Sequence, residues 1–292
     1  MEKRSIELTA APPKEHWVGD GFRVHNFIPS GYHLEMERMN PFILLDYNST
    51  YHFQPSDTPK GVGVHPHRGF ETVTIAYKGK VQHHDSHGGG GIIGEGDVQW
   101  MTAASGILHK EYHEKEWSRK GGDFQMVQLW VNLPAKYKMS EPKYQAITNS
   151  MMGRFVLPQD MGQIEIIAGE YKGVQGPAFT FSPMHLLNVK LKSNGEANFT
   201  FPKDYNTGLL VVEGEVIVNG EVRVPTDHFV LMANDGEEFS IHATEGAVVL
   251  VLSGEPIHEP IAPYGPFVMN TRDELIQAFD DFNNGKFGYL ED

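Results

Sequence analysis

The chain has no cysteine in its 292 residues. Disulfide frameworks, thiolate-bound zinc and thiol nucleophiles are therefore excluded. Any metal must be held by histidine or carboxylate side chains. Positive charge is also scarce, with 24 Lys and Arg against 38 Asp and Glu, a formal net charge of −14. A protein that grips a phosphate backbone needs the opposite balance, so no direct nucleic-acid contact is expected. No run of about 18 apolar residues occurs, so no membrane span is expected. The N-terminal residues Met1-Glu2-Lys3-Arg4-Ser5-Ile6-Glu7 are charged and lack the apolar core of a signal peptide. A cytoplasmic protein is the resulting expectation.

Glycine and proline are plentiful, 31 and 18 residues. They separate short runs rich in Val, Ile, Thr and aromatics, the pattern of an all-β protein. Strands are expected over Arg23–Pro29, Phe42–Tyr47, Gly69–Tyr77, Val81–Asp85, Asp97–Met101, Ile107–Tyr112 and Phe124–Asn132. The second half repeats the rhythm, with strands expected over Gln163–Glu170, Phe179–Ser182, His185–Leu191, Ala197–Phe201, Gly208–Glu213, Glu215–Val218, His228–Met232 and Ala247–Ser253. Asn219-Gly220 is a hairpin signal. Gly88 to Gly91 read as a loop. One helix closes the chain. Thr271-Arg272-Asp273-Glu274 opens it as a capping box, Leu275, Ile276, Phe279 and Phe282 form its apolar stripe, and Gly285 can end it. The length suits two domains. They are expected at 1–134 and 146–292, joined by a polar, Pro-containing linker at 135–145.

Chemistry concentrates in Gly63-Val64-His65-Pro66-His67-Arg68-Gly69-Phe70-Glu71. In a strand, side chains alternate faces, so His65 and His67 share one. His109 and Glu111 form a second such pair in Gly106-Ile107-Leu108-His109-Lys110-Glu111. The two pairs are expected to face each other inside a β-barrel and hold one metal as three imidazoles and a carboxylate. That donor set suits iron(II), manganese, nickel, copper, cobalt or zinc. A six-coordinate metal keeps two positions open for dioxygen or substrate, whereas zinc is nearly closed at four, so iron ranks first. Glu71, four residues after His67, could be a ligand if the strand is regular through Gly69, but such a Glu is more often a strand-face neighbour. His83, His84, Asp85 and His87 are read as an exposed or hydrogen-bonded loop. His113 extends the second face outward, and Arg68 is a counter-ion or a solvated side chain. The four glycines are not a phosphate loop, since no Lys-Ser/Thr and no helix pattern follow.

Several stretches resemble the pirin family of the cupin superfamily. They are the His65–Glu71 segment, Gly96-Asp97-Val98-Gln99-Trp100-Met101-Thr102-Ala103, Gly106-Ile107-Leu108-His109 and Leu129-Trp130-Val131-Asn132-Leu133-Pro134. Glu141-Pro142-Lys143-Tyr144-Gln145, Gly254-Glu255-Pro256 and Gly265-Pro266-Phe267-Val268-Met269-Asn270 extend the likeness to nearly the whole chain. The resemblance implies two cupin barrels (double-stranded β-helix, or jelly-roll, barrels) packed face to face, with a short C-terminal helix. It implies one metal, in the first barrel, on His65, His67, His109 and Glu111, with Glu71 a neighbour rather than a ligand. The second barrel has only the isolated His228 and His242 and is read as metal-free. Two activities follow from the resemblance. One is quercetin 2,3-dioxygenase activity, cleaving a flavonol with dioxygen and releasing carbon monoxide, with Glu111 as general base. The alternative is a non-enzymatic, redox-sensing regulator that binds a protein partner, as a transcriptional coregulator does. No basic nuclear-localisation run is present to favour a nuclear version.

Overall fold

The computed structural model describes residues 2–30 and 34–292. The chain forms two compact units, each an all-β cupin barrel. The first barrel comprises Lys14–Pro29, Phe42–Asn149 and Ile257–Asp292. Its seven-stranded sheet runs Lys143–Ile147, Val98–Thr102, Phe70–Lys78, Gly122–Asn132, Phe42–Phe53, Phe22–Ile28 and His16–Val18 in spatial order. Its four-stranded sheet runs Gly61–His67, Ile107–His113, Val81–Asp85 and Gly90–Ile93. Every pairing in both sheets is antiparallel.

The second unit comprises Met1–Pro13, Ser30–Pro41 and Ser150–Pro256. It too has a seven-stranded and a four-stranded sheet. Its interior is filled by Ile164, Ile166, Leu187, Val189, Phe199, Leu209, Val211, Phe239 and Val249, among others, alternating with outward residues along each strand. Ile6–Ala10 pairs antiparallel with Phe229–Met232 at the edge of its larger sheet.

Several boundaries differ from the sequence reading. No free linker spans 135–145: Ala135–Tyr137 is a 3-10 turn, and Lys143–Ile147 is a strand paired with Val98–Thr102. The strand's Tyr144 packs on Met101, Ala103 and Ile107, so apolar burial overrides the polar composition. Residues Ile257–Asp292 belong to the first barrel, not to a 146–292 domain. The Arg272–Asn283 helix opens with the expected capping box. It buries Ala278 beside Phe267, Phe287 and Leu108. Phe179–Ser182 is not a strand; Pro177 and Pro183 bracket it, and the Phe179 and Phe181 rings stack edge-on at 5.1 Å instead. Gly90 and Gly91 are strand, not loop. The turn before them wraps the Asp85 carboxylate, which accepts the backbone N–H groups of His87 and Gly89 at 2.8 Å each. A Cβ at Gly89 would collide with that carboxylate.

One buried ion pair anchors the C-terminal segment. Arg68 Nη1 donates to Asp281 Oδ2 at 2.9 Å, and Arg68 Nε donates to the Ser105 carbonyl at 2.7 Å. The guanidinium lies 4.8 Å from the Phe287 ring centroid. Next in the chain, Gly69 turns at φ +92°, and a Cβ there would overlap the Val268 carbonyl. Hydrogen bonds from Lys286, Arg68 and Gln277 hold the Asp281 carboxyl down at about 2. Because the folded value lies below the unfolded one near 3.9, the pair stabilises the fold above pH 4 and that gain disappears as pH falls towards 2. Asp281→Asn should cost about 3 kcal/mol at pH 7, since it strands a buried guanidinium. The difference between variant and wild type should shrink below pH 4. Urea titrations at pH 7 and pH 3 check this, and a pH-independent difference would refute it.

Candidate metal centre

The Gly61–His67 and Ile107–His113 strands are neighbours in the four-stranded sheet, with His109 directly opposite His65 and Ile107 opposite His67. The two histidine-bearing pairs thus sit side by side on one sheet rather than facing each other across the barrel. A β-bulge between His109 and Glu111 shifts the register, so Glu111 pairs with Val62. The ring centroids of His65 and His109 lie 4.2 Å apart, those of His67 and His109 4.8 Å, and those of His65 and His67 4.9 Å. Ligand atoms of these three rings all lie within 4.8 Å of one another.

Hydrogen bonds set which ring nitrogen each histidine presents. His65 Nδ1 lies 2.8 Å from the Gly63 carbonyl, and His67 Nδ1 lies 3.2 Å from the Pro266 carbonyl. A carbonyl only accepts, so Nδ1 carries a proton in both rings and Nε2 is the nitrogen each ring turns away from that carbonyl and has left for a metal. Burial, reinforced by nearby rings, holds His67 and His109 well below the usual imidazole range, so both are neutral. His109 is fully buried, and its Nε2 has no hydrogen-bond partner among the described residues. Such an orphan is costly in a protein interior. A metal ion is the group that would satisfy a neutral imidazole lone pair set beside two others, so the residues present fit a transition metal.

Glu111 is buried, and its Oε1 accepts from Thr74 Oγ1 and Gln99 Nε2 at 3.2 Å each. It groups with His109 and with His83, ligand atoms within 4.8 Å. His83 falls within the expected Val81–Asp85 strand but is not in the exposed or loop setting weighed for it. It lies in the Val81–Asp85 strand and is fully buried. The available signal was the alternation His83, Asp85, whose side chains share the inward face, while His84 points out. The Gln99 amide donates to His83 Nδ1 at 2.9 Å, so the His83 proton sits on Nε2, 3.5 Å from Asp85 Oδ2. Its Nδ1 lone pair is already engaged, which sets His83 apart from the other three rings. His87 remains in an exposed turn.

Two other candidates lie outside the cluster. His113 Nε2 bonds the Gly21 carbonyl at 2.9 Å, and its ring packs against Phe53 and Phe124. Glu71 follows the Gly69 turn and points to the opposite face of its strand from Thr74, where it accepts from Thr102 Oγ1 at 2.7 Å.

The cluster opens on a cavity of about 360 Å³, bordered by His65, His67 and Glu111. Its walls are mostly apolar, with Val18, Phe22, Val24, Val62, Met126 and Trp130. Trp130 stacks on Phe70 at 4.2 Å and lies 5.2 Å from the His67 ring. One register row across five strands of the larger sheet is polar throughout: Asn26 opposite Asp46, Asp46 opposite Gln128, Gln128 opposite Thr74 and Thr74 opposite Gln99. Its Thr74–Gln99 end touches Glu111. Gly265 and Pro266, from the C-terminal segment, complete the cavity rim.

Two cupin barrels, one of them lined by a histidine trio, define the class of protein. Comparison with known families is more specific. The Pirin model matches residues 21–131, and the model of the pirin C-terminal cupin domain matches residues 186–288. The chain belongs to the pirin family. A Pseudomonas aeruginosa protein named provisionally as a quercetin 2,3-dioxygenase is 47% identical over 272 residues, 93% of this chain and 94% of its own. A pirin-like protein of Solanum lycopersicum is 37% identical, covering 87% of this chain and 84% of its own. The crystal structure of a quercetin 2,3-dioxygenase from Acinetobacter baumannii superposes with a TM-score of 0.92 at 45% identity, covering 99% of this chain and all of that one. Among the described residues, no helix is long and apolar enough to cross a membrane.

Burial raises the Glu71 carboxyl to about 7, against the opposing pull of the Thr102 hydroxyl and the Trp100 indole. A carboxyl whose folded value exceeds its unfolded one favours the fold when protonated, so stability falls as pH rises from about 4.5 through 7. The full loss is about 3 kcal/mol, from 1.36 kcal/mol for each unit of pKa. Glu71→Gln should therefore match wild type near pH 4 and exceed it at pH 8. Parallel denaturation midpoints at the two pH values would contradict this.

Proposed function

We propose that this chain is a metal-dependent dioxygenase that cleaves quercetin-type flavonols with O2. One divalent transition metal would be held by His65, His67, His109 and Glu111, with iron(II) first among the candidates. The observation that carries this reading is the convergence of three imidazoles, one of them the buried His109 with its unpartnered Nε2, beside a mostly apolar cavity that His65, His67 and Glu111 border. The names carried by the Pseudomonas relative and the Acinetobacter structure support the choice of substrate.

When bound, such a metal supplies Lewis acidity that lowers the pKa of a substrate hydroxyl, together with open positions for substrate or dioxygen. The protein's own groups do the rest. The flat Trp130 ring and the aliphatic wall accept a planar aromatic and exclude water. Glu111, kept in place by Thr74 and Gln99, takes the proton of the flavonol 3-hydroxyl. The Gly63 and Pro266 carbonyls keep the His65 and His67 rings in their tautomers. In the net reaction both oxygen atoms of O2 enter the ring-opened ester, and the ring carbon that bore the 3-hydroxyl leaves with its own oxygen as carbon monoxide.

Freshly purified protein should hold about one transition metal per chain and should consume O2 and release carbon monoxide with quercetin. Glu111→Gln should retain most of the metal and lose activity by 10²-fold or more, in the range of ~10²–10⁴ for a general base. His109→Ala should lose the metal itself. Full activity in Glu111→Gln would sink the base assignment, and unchanged metal in His109→Ala would sink the ligand set. Bound metal with no O2 uptake would favour the regulator reading.

A further inference from the structure

The polar row on the cavity wall contains more than the fold or the metal site uses. Asp46 and Gln128 are direct cross-strand partners on the seven-stranded sheet, and both border the cavity. The histidine trio stands on the other sheet of the barrel. Asp46 Oδ1 accepts from Asn26 Nδ2 at 2.7 Å, while no described residue hydrogen-bonds Oδ2 or the Gln128 amide. Polar groups on an apolar wall cost stability unless a ligand satisfies them. Asp46 lies two strands from Thr74, which touches Glu111. At ~4.8 Å between strands, that separation is about 10 Å. It exceeds one aromatic ring and fits a molecule of two or three linked rings.

We infer that Asp46, assisted by Gln128, is a specificity-determining group that binds a phenolic hydroxyl on the part of the substrate remote from its metal-binding oxygen. The preferred substrates are planar aromatics hydroxylated at both ends. This rests on the flavonol reading above and deepens it. A hydroxyl donates to the free carboxylate oxygen and accepts from the Gln128 amide, so one group satisfies both. Burial holds the Asp46 carboxyl above its ordinary range, opposed by the Asn26 amide and by nearby His16, which marks a desolvated acceptor. A site built to hydrogen-bond a hydroxyl discriminates strongly against the analogue that lacks it.

The test is equilibrium binding to metal-loaded protein under nitrogen, where no turnover occurs. The probes are 3-hydroxyflavone, which has the metal-binding group alone, and quercetin, which adds distal phenolic hydroxyls. Wild type should prefer quercetin by about tenfold or more, as expected for a hydrogen bond to a charged group. Asp46→Leu should cut that preference to about twofold or less while leaving 3-hydroxyflavone binding and metal content unchanged. Asp46→Asn, which is closer in shape, should give an intermediate preference and guards against a misfolded Leu variant. An unchanged preference in both variants would overturn the assignment. Equal loss of both probes would also overturn it, since Asp46 would then only shape the cavity. If both probes bind wild type equally, the inference fails and the flavonol reading stands. If neither binds, both fail.

Discussion

The centre depends on one strand pairing. His109 stands opposite His65 because the Ile107–His113 and Gly61–His67 strands pair antiparallel in that register. Pleating alone puts His65 with His67 and His109 with Glu111. Only the pairing merges the two sets. A slip of one residue would turn His109 and Glu111 to the other face. A bulge beyond that pair, Gly63 and Val64 against Lys110, then sets Glu111 opposite Val62. Rigidity comes from burial. His109 is fully enclosed, and His65 and His67 are each tied to a backbone carbonyl. Three imidazoles held this closely, one with an unpartnered buried nitrogen, cost stability by themselves. A metal bound there, as proposed, would offset that cost.

The C-terminal segment shares in this construction. The Pro266 carbonyl, in the C-terminal segment, accepts the hydrogen bond from His67 Nδ1. Arg68, the next residue after His67, pairs with Asp281 on the closing helix. The helix and the metal-site strand are therefore tied at adjacent residues. Across the cavity, the row from Asn26 to Gln99 gives an otherwise greasy barrel one polar line, with Glu111 at one end and Asp46 towards the other. Together the two walls place the candidate metal ligands on one side of the cavity and the Asp46–Gln128 pair of the proposed hydroxyl site on the other.

Part of this is legible without coordinates. A period of two makes His65/His67 and His109/Glu111 visible as pairs, and turn residues mark most strands. The capping box of Thr271 and Glu274 locates the closing helix. What stays hidden is long-range. Nothing local says that Pro266 will meet His67, that residues 257–292 join the first barrel, or that Lys143–Ile147 will be a strand despite its polar neighbours. His83 was within reach, since its alternation with Asp85 points both inward, but four glycines beside it suggest a loop. The structure shows why they read wrongly. Gly89 leaves room for the Asp85 carboxylate, and the strand begins at Gly90. Asp46 and Gln128 carry no motif at all, because a cross-strand pair is defined by register and not by spacing.

The central claim is that His65, His67 and His109, and not His83, supply the imidazoles of one metal site. X-ray absorption spectroscopy of the metal-loaded protein counts them directly. The account predicts three imidazoles in wild type and three in His83→Ala, because the His83 Nδ1 lone pair is already engaged by Gln99. A fall to two in His83→Ala, or fewer than three in wild type, would contradict it.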